Sequence, residues 1–457
     1  MTAKAAQTDD NDTRKLLIAI LSTIALADFG LGLNTVVLPL YAKSLGASII
    51  TIGLIIASFG LARIFINIPI SIISKKFNAN YIHIGILSIF LGSVGYLFST
   101  SYYQLFVFRF LEGFGSGIIN TSSMIILTKR LYRNEKRAKV LSRYMIARRL
   151  SMGSSPFLGA IVAYEFSDKT AFLLYALILA SGLIIAFYNK KFLNSIDSAN
   201  ISSGINGAKN AGDTNEDDTG GIKNASLETC DNDYNEVPGY SAGIKFNIPA
   251  TKAGENKLRE HLKRYSALLY NFNFIALCFL TFSFFFSRIG SRRELVPLVG
   301  NIVMNLNKAD IGLLVSISAV VGVILTYYSD RVINVMGVKK SIITSFIISA
   351  VGVLSFIAFQ NIVTFGISII LLSAGGGFSG PARNLYLMDS LDKSHYDEAI
   401  GIYRTLSDLG FVLGPFAVGA VFYYFNYISA YSLVACIIII ATVLFGFFAK
   451  SFAKKEY

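Results

Sequence analysis

Apolar residues fall along this chain in long uninterrupted runs separated by short polar breaks. Six runs occupy the first half, at 16–40, 52–73, 81–99, 104–127, 140–164 and 171–188. Six more occupy the second, at 266–296, 311–328, 341–359, 362–388, 399–425 and 428–448. Each is close to the ~20 residues that a helix needs to cross a bilayer. A backbone in hydrocarbon must satisfy its own hydrogen bonds, which a helix does within one segment. The pattern predicts an all-α membrane protein of twelve spans. Between the two sets lies 189–264, rich in Asn, Asp, Gly, Ser and Lys, with too little apolar content to build a core, and it reads as a disordered linker. The expected organisation is a polar tail at 1–15, a bundle at 16–188, the linker, a second bundle at 265–449 and a tail at 450–457.

The halves repeat each other. Val37–Leu38–Pro39–Leu40, leading to Ile52–Gly53–Leu54, is echoed by Leu295–Val296–Pro297–Leu298 leading to Ile311–Gly312–Leu313. Tyr144, Ser155 and Pro156 are echoed at the same spacing by Tyr403, Gly414 and Pro415. The offset, about 260 residues, is far longer than a solenoid period. A duplicated set of six apolar helices predicts two pseudo-symmetric bundles around a central cavity, the usual build of a secondary transporter.

Composition narrows the class. Of 457 residues, 53% are hydrophobic and 15% charged, where a soluble domain carries about 25% charged residues. The net charge of +13 does not call for nucleic acid, because the basic residues sit in short loops between apolar runs. Lys129, Arg130, Arg133, Lys136, Arg137, Lys139 and Arg143 crowd one connection, Lys75 and Lys76 another, and Arg331, Lys339 and Lys340 a third. All lie on one side with both termini and the linker, and the positive-inside rule makes that side cytoplasmic. A multi-pass protein of the plasma membrane is expected. Residues 1–11 lead straight into a span, so no cleavable signal is evident. Trp is absent, which leaves interfacial anchoring to 24 Tyr. Cys230, Cys278, Cys436, His83, His261 and His395 show no metal or redox spacing. No catalytic cluster and no ATP-binding pattern is visible, so neither an enzyme nor a primary pump is expected, and no cofactor or metal.

Charges inside spans are costly and therefore functional candidates. Run one holds Asp28 and the polar Asn34, run two Arg63, run four Arg109 and Glu112, and run five opens with Arg148 and Arg149. Run seven carries Arg288, Arg292, Arg293 and Glu294, with the last three placed either in the span or in a wet loop past its end. Run ten holds Arg383 and Asp389, and run eleven Arg404 and Asp408. Arg109 and Glu112 share a helix face and can pair, and so can Arg404 and Asp408. Asp28 and Arg109 face the cavity or neutralise one another across the first bundle. Desolvation disfavours a buried carboxylate's charge and a nearby Arg favours it, so such a pair can tune a proton switch. The aromatics at 284–286 read as packing. Gly113 and Gly117 make a small-x-x-x-small groove for a neighbouring helix. The glycines at 113–117 sit mid-helix, without the strand and helix N-terminus that a phosphate loop needs.

The pattern Arg109, Gly113, Gly115 resembles the fourth-helix motif of the major facilitator superfamily. Gly410, Gly414 and Pro415, followed by Gly419, resemble that superfamily's antiporter motif. Ser329–Asp330–Arg331, with Gly337, Lys339 and Lys340, resembles its cytoplasmic-loop motif. Two positions depart from the pattern: Lys75 stands where the family usually has Asp, and Ser151 and Ser155 precede Pro156 where glycines are usual. The resemblance implies alternating access by a monomer in the bilayer, moving a small solute with protons as coupling ion. It implies Arg109 as a proton-relay or gating residue, and Asp330 and Arg331 for a cytoplasmic gate; coupling also needs a carboxylate that protonates on one side and releases on the other, for which Asp28 is the first choice and Asp408 or Glu112 follow. Asn34, Arg63, Arg149, Arg288, Arg292, Arg383 and Arg404 are expected in the substrate cavity, and Gly113, Gly117, Pro156, Gly410, Gly414 and Pro415 in helix packing. Export of a small organic solute, like the drug–proton exporters, is the first expectation. Proton-coupled import of an organic anion and a non-transporting sensor of the same fold are the alternatives.

Overall fold

The computed structural model describes residues 2–77, 81–131, 137–188, 268, 270–390 and 396–451. The predicted linker and the extreme termini lie outside them, as do the side chains of the basic loop at 129–143 and of Lys75 and Lys76.

The first half folds as α1 (Thr2–Ser44), α2 (Ile49–Phe77), α3 (Ile82–Phe98), α4 (Tyr102–Leu131), α5 (Arg137–Glu165) and α6 (Asp168–Tyr188). The second contains α7 (Phe272–Ile302), α8 (Lys308–Tyr327), a short α9 (Ser329–Met336), α10 (Val338–Phe359), α11 (Ile362–Asp389), α12 (Tyr396–Tyr424) and α13 (Tyr427–Phe448). Twelve long helices among the described residues thus stand where twelve apolar runs were read. Among the described residues, nine are long and apolar enough by themselves to cross a bilayer, and α3 is a shorter apolar helix. Helix starts carry their own signals: Asn271, Asn307, Asn361 and Asn426 each accept backbone N–H bonds at an N-terminus, which satisfies donors left over in the first turn.

Run seven extends past its expected end at 296, and of the two placements left open for its last charges the structure takes the one inside the span. Gly290–Leu295 forms a π-helical turn inside α7, and the helix continues to Ile302. Arg292, Arg293 and Glu294 therefore lie within the span and not in a loop past its end. Pro297 is the physical reason: its ring clashes with the carbonyl four residues back and it has no N–H to donate. The widened turn moves that carbonyl aside, and the N–H of Val296 bonds to the carbonyl of Ser291.

The duplication is visible in the packing. Pro156 lies in α5 and Pro415 in α12, the corresponding helices of the two halves. Each half lays a glycine on the other half's proline: a Cβ on Gly53 would lie 2.7 Å from the Pro415 carbonyl oxygen, and one on Gly312 2.8 Å from that of Pro156. These α2–α12 and α5–α8 contacts are the two seams between the bundles. Within the bundles, Gly410 and Gly414 of α12 press on the backbone of Phe282 and Phe286 in α7. Gly113 and Gly117 of α4 likewise face Phe59 and Ile66 of α2. Small residues allow this approach, which drives helix association in lipid.

The short turns at 45–48, 99–101, 166–167, 303–307, 360–361 and 425–426 gather at one end of the molecule. The halves are bonded there: Lys43 Nζ donates to Asn301 Oδ1 at 3.0 Å, and Lys308 Nζ meets Asp168 Oδ1 at 2.5 Å. Further in, the backbone N–H of Phe157 donates to Ser316 Oγ at 3.0 Å. Bonds between the halves continue to the level of Asp408 and Thr326.

Candidate functional site

The intramembrane charges separate into three groups. In the first bundle, Glu112 is fully buried and Arg109 nearly so. Arg109 Nη1 lies 2.5 Å from Glu112 Oε2, which also accepts from Tyr96 Oη at 2.9 Å. The other oxygen accepts from Tyr175 Oη at 2.7 Å and Asn34 Nδ2 at 3.2 Å. Two donors on each oxygen fill much of a carboxylate's acceptor capacity. Local helix geometry sets the pair, since Arg109 and Glu112 are three residues apart on α4. The partners come from α1, α3 and α6.

Asp28 does not pair with Arg109. Its carboxylate takes two bonds from Arg148 of α5, Nε to Oδ2 at 2.5 Å and Nη2 to Oδ1 at 3.1 Å. The geometry is the bidentate fork that a guanidinium makes with a carboxylate. Nor does Asp408 neutralise Arg404. It meets Arg63 of α2 across the seam at 3.5 Å and accepts from Asn67 Nδ2 at 3.3 Å, while Arg404 sits on an exposed stretch of α12. Aromatic rings continue this cross-seam contact. Phe59 of α2 stacks on Phe411 of α12 with centroids 5.6 Å apart. Arg293 lies 5.5 Å from both rings, and Arg109 covers Phe59 at 4.6 Å.

The third group is basic without compensation. Arg149 from α5, Arg288 and Arg292 from α7 and Arg383 from α11 lie close together: Arg288 and Arg383 share the Phe284 ring, Arg288 and Arg292 line one recess, and Arg149 Nη2 lies against Gly380 of α11. No acid pairs with any of them among the described residues. Their bonds go to neutral groups: Arg149 to the Thr326 hydroxyl, Arg292 Nη2 to the Val315 carbonyl at 3.3 Å, and Arg383 Nε to the Ser379 carbonyl at 3.1 Å. Arg383 is buried, stacks on Phe284 at 3.8 Å, and leaves Nη1 without a partner. Arg288 lies 5.7 Å from the same ring, so Phe284 contacts two guanidinium groups besides its aromatic neighbours. A small recess between α7 and α11 is lined by Arg288, Arg292, Val296, Ile369, Leu372 and Ser373.

At the opposite end from the short turns, Asp330 and Arg331 are exposed on α9. Arg331 lies 5.5 Å from the Tyr328 ring, and Asp330 makes no ion pair among the described residues. No cluster of metal-ligating side chains occurs among the described residues. Cys278 is buried and Cys436 exposed, both as free thiols.

Two buried charges were noted in run seven but given no role in the site: Arg293 and Glu294, in the π-turn of α7. The signal that could have found them was Pro297, four positions after Arg293 and three after Glu294, inside a run long enough to continue past it.

The sequence model of the Major Facilitator Superfamily matches residues 20–331 and 277–456, which together cover nearly the whole chain. An uncharacterized transporter of Buchnera aphidicola subsp. Baizongia pistaciae is 28% identical over 176 residues, 38% of this chain and 42% of that protein. An uncharacterized MFS-type transporter of Methanocaldococcus jannaschii is 26% identical over 147 residues, 31% of this chain and 37% of its own. The chain thus spans about two fifths of the length of these curated relatives. Among solved structures, the nucleoside transporter NupG superposes with a TM-score of 0.63 at 14% identity, over 95% of this chain and 100% of that one. The human organic anion transporter MFSD10 superposes at 0.61 and 14% identity, over 94% and 99%. At this identity the likeness is one of fold.

Proposed function

Because the chain belongs to the Major Facilitator Superfamily, and is thus a multi-pass membrane transporter rather than an enzyme, we propose that it moves a small organic anion by alternating access, driven by a proton gradient. The observation that carries the substrate class is the set of four arginines, Arg149, Arg288, Arg292 and Arg383, with no acid to balance them. On insertion scales each unpaired charge in a span costs about 2.5–3.5 kcal/mol. A bound anion offsets that cost, and guanidinium forks suit carboxylate or phosphate oxygens. The stacking of Arg383 and Arg288 on Phe284 holds the donors in place before a ligand arrives.

Charge distribution supports placing the short-turn end outside the cytoplasm. Asp28 is the first candidate to carry the coupling proton: it is buried, and its carboxylate meets the partly exposed Arg148 of another helix instead of a closed set of four donors. Glu112, with both oxygens fully bonded inside one bundle, is assigned to holding Arg109. Asp408 is assigned to the seam, where it meets Arg63. The pattern Gly410, Gly414, Pro415 resembles that of exporters, and export is the direction we assign.

The test is thermal unfolding of the purified protein with dicarboxylates, sugar phosphates, nucleoside monophosphates, amines and neutral sugars at matched ionic strength. At least one anion class raises the melting temperature of the wild type and not of Arg383→Gln. Stabilisation by amines alone, or by none of the anions, overturns the anion reading. Flux of the stabilising anion from liposomes with imposed pH gradients then reads direction and coupling.

A further inference from the structure

Glu294 is the buried acid that the site above leaves unused. It is 0% exposed, and neither carboxyl oxygen has a hydrogen-bond partner. It sits at the α2–α12 seam. A Cβ on Gly53 would lie 2.7 Å from Oε1, and one on Gly419 would overlap the same oxygen. The two glycines, with the Pro415 carbonyl beside Gly53, form a closed cradle for this one carboxyl group.

The duplicated half shows what the position needs for packing alone. Aligning Pro39 with Pro297 sets Val36 opposite Glu294, and aligning Pro156 with Pro415 sets Ala160 opposite Gly419. Val36 and Ala160 are both 0% exposed, and the Ala160 methyl abuts Gly312. At the α5–α8 seam the Ala160 methyl thus meets Gly312, and the position equivalent to Glu294 is a buried aliphatic residue. At the other, Gly419 lacks the methyl and the carboxyl of Glu294 occupies the space. Packing does not require an acid here.

No titratable group on the helices around the turn hydrogen-bonds the carboxyl among the described residues, although the Tyr431 hydroxyl and Arg293 Nη1 are themselves buried without a partner. Arg63 of α2 meets Asp408 of α12. Lys43 of α1 bonds Asn301. Tyr431 of α13 packs on Phe356. Arg292 reaches the Val315 carbonyl, and Arg293 faces Phe59 and Phe411. What faces the carboxyl from α2 and α12 is two glycines and a peptide carbonyl. A neutral acid fits such a site, whereas an ionised one without a partner carries a large desolvation cost. π-turns in helices often mark functional sites.

We propose that Glu294 is a proton-operated latch of the short-turn end: protonated, it seats between Gly53 and Gly419 and closes the α2–α12 seam, and on losing its proton to water it leaves the cradle and the seam parts. The inference rests on the alternating-access reading, but not on which solute is carried. Its test therefore uses no substrate.

Phe166 and Phe425 are exposed at the short-turn ends of α5 and α12, in different halves. Cysteines placed there, in a chain with Cys230, Cys278 and Cys436 replaced by Ala, carry spin labels for distance measurement in lipid nanodiscs from about pH 5 to about pH 9. The parent shows a longer-distance population that grows as pH rises. Glu294→Gln, a permanent mimic of the neutral acid, stays at the short distance throughout. Glu294→Val, which copies the sister seam, behaves the same and serves where the Gln variant does not fold. A parent without a pH-dependent distance change, or a change of normal size in either folded variant, overturns the proposal. Loss of anion binding in the thermal assay leaves this result untouched, so the two readings fail separately.

Discussion

Replacing Glu112 tests what holds the first bundle together. Glu112→Val removes the acceptor for Arg109, Tyr96, Tyr175 and Asn34 at once, in a site where Glu112 is 0% and Arg109 3% exposed. Removing one partner of a buried pair costs about 3–5 kcal/mol, because the other charge is stranded. Each neutral donor left without an acceptor adds about 1–3 kcal/mol where it cannot rotate to a new one. The two tyrosine hydroxyls can rotate and accept as well as donate, so the lower end applies to them. The expected loss for Glu112→Val is therefore at least ~5 kcal/mol. Glu112→Gln keeps one carbonyl oxygen and most of the volume, and should cost ~3 kcal/mol. Arg109→Leu combined with Glu112→Val should recover part of the loss, with a coupling energy of about 2 kcal/mol or more. Unfolding by sodium dodecyl sulfate in mixed micelles, followed by far-ultraviolet circular dichroism, gives the five free energies: wild type, Glu112→Val, Glu112→Gln, Arg109→Leu and the double variant. If both single Glu112 variants unfold within ~1 kcal/mol of the wild type, the buried network is not what orders α4 against α1, α3 and α6, and Glu112 is free to serve as a proton carrier after all.

Gly414→Leu forces a side chain into the backbone of Phe286; α7 and α12 must part, and the variant should insert into the membrane yet lose transport or leak, so full flux in liposomes would refute the packing role. Asp28→Asn should abolish accumulation of the anion against its gradient while sparing counterflow between equal compartments, since exchange moves no net proton; normal uphill accumulation would pass the coupling role from Asp28 to another acid.

The period and length of the apolar runs, by themselves, determined the class and number of the elements. A backbone in hydrocarbon has few options, so a run of about 20 apolar residues is nearly a statement of structure. The repeat at Pro156 and Pro415 likewise carried the two-bundle architecture, because equal spacing of a proline and small residues marks equivalent helices. The Arg109–Glu112 pair was legible for a local reason: three residues on one helix put two side chains together whatever the rest of the chain does.

The other pairings belong to the tertiary structure alone. Asp28 had Arg109 as its expected partner, and Asp408 had Arg404 four residues away; which cation each acid met depended on how α1 packs on α5 and α2 on α12. Arg63 and Asp408 lie in different halves, so no spacing along the chain links them. Glu294 is the clearest case. Its side chain points between Gly53 and Gly419 because a π-turn adds one residue to the helical turn before Pro297, and that rotation decides whether an acid in a long apolar run faces lipid, water or a closed seam.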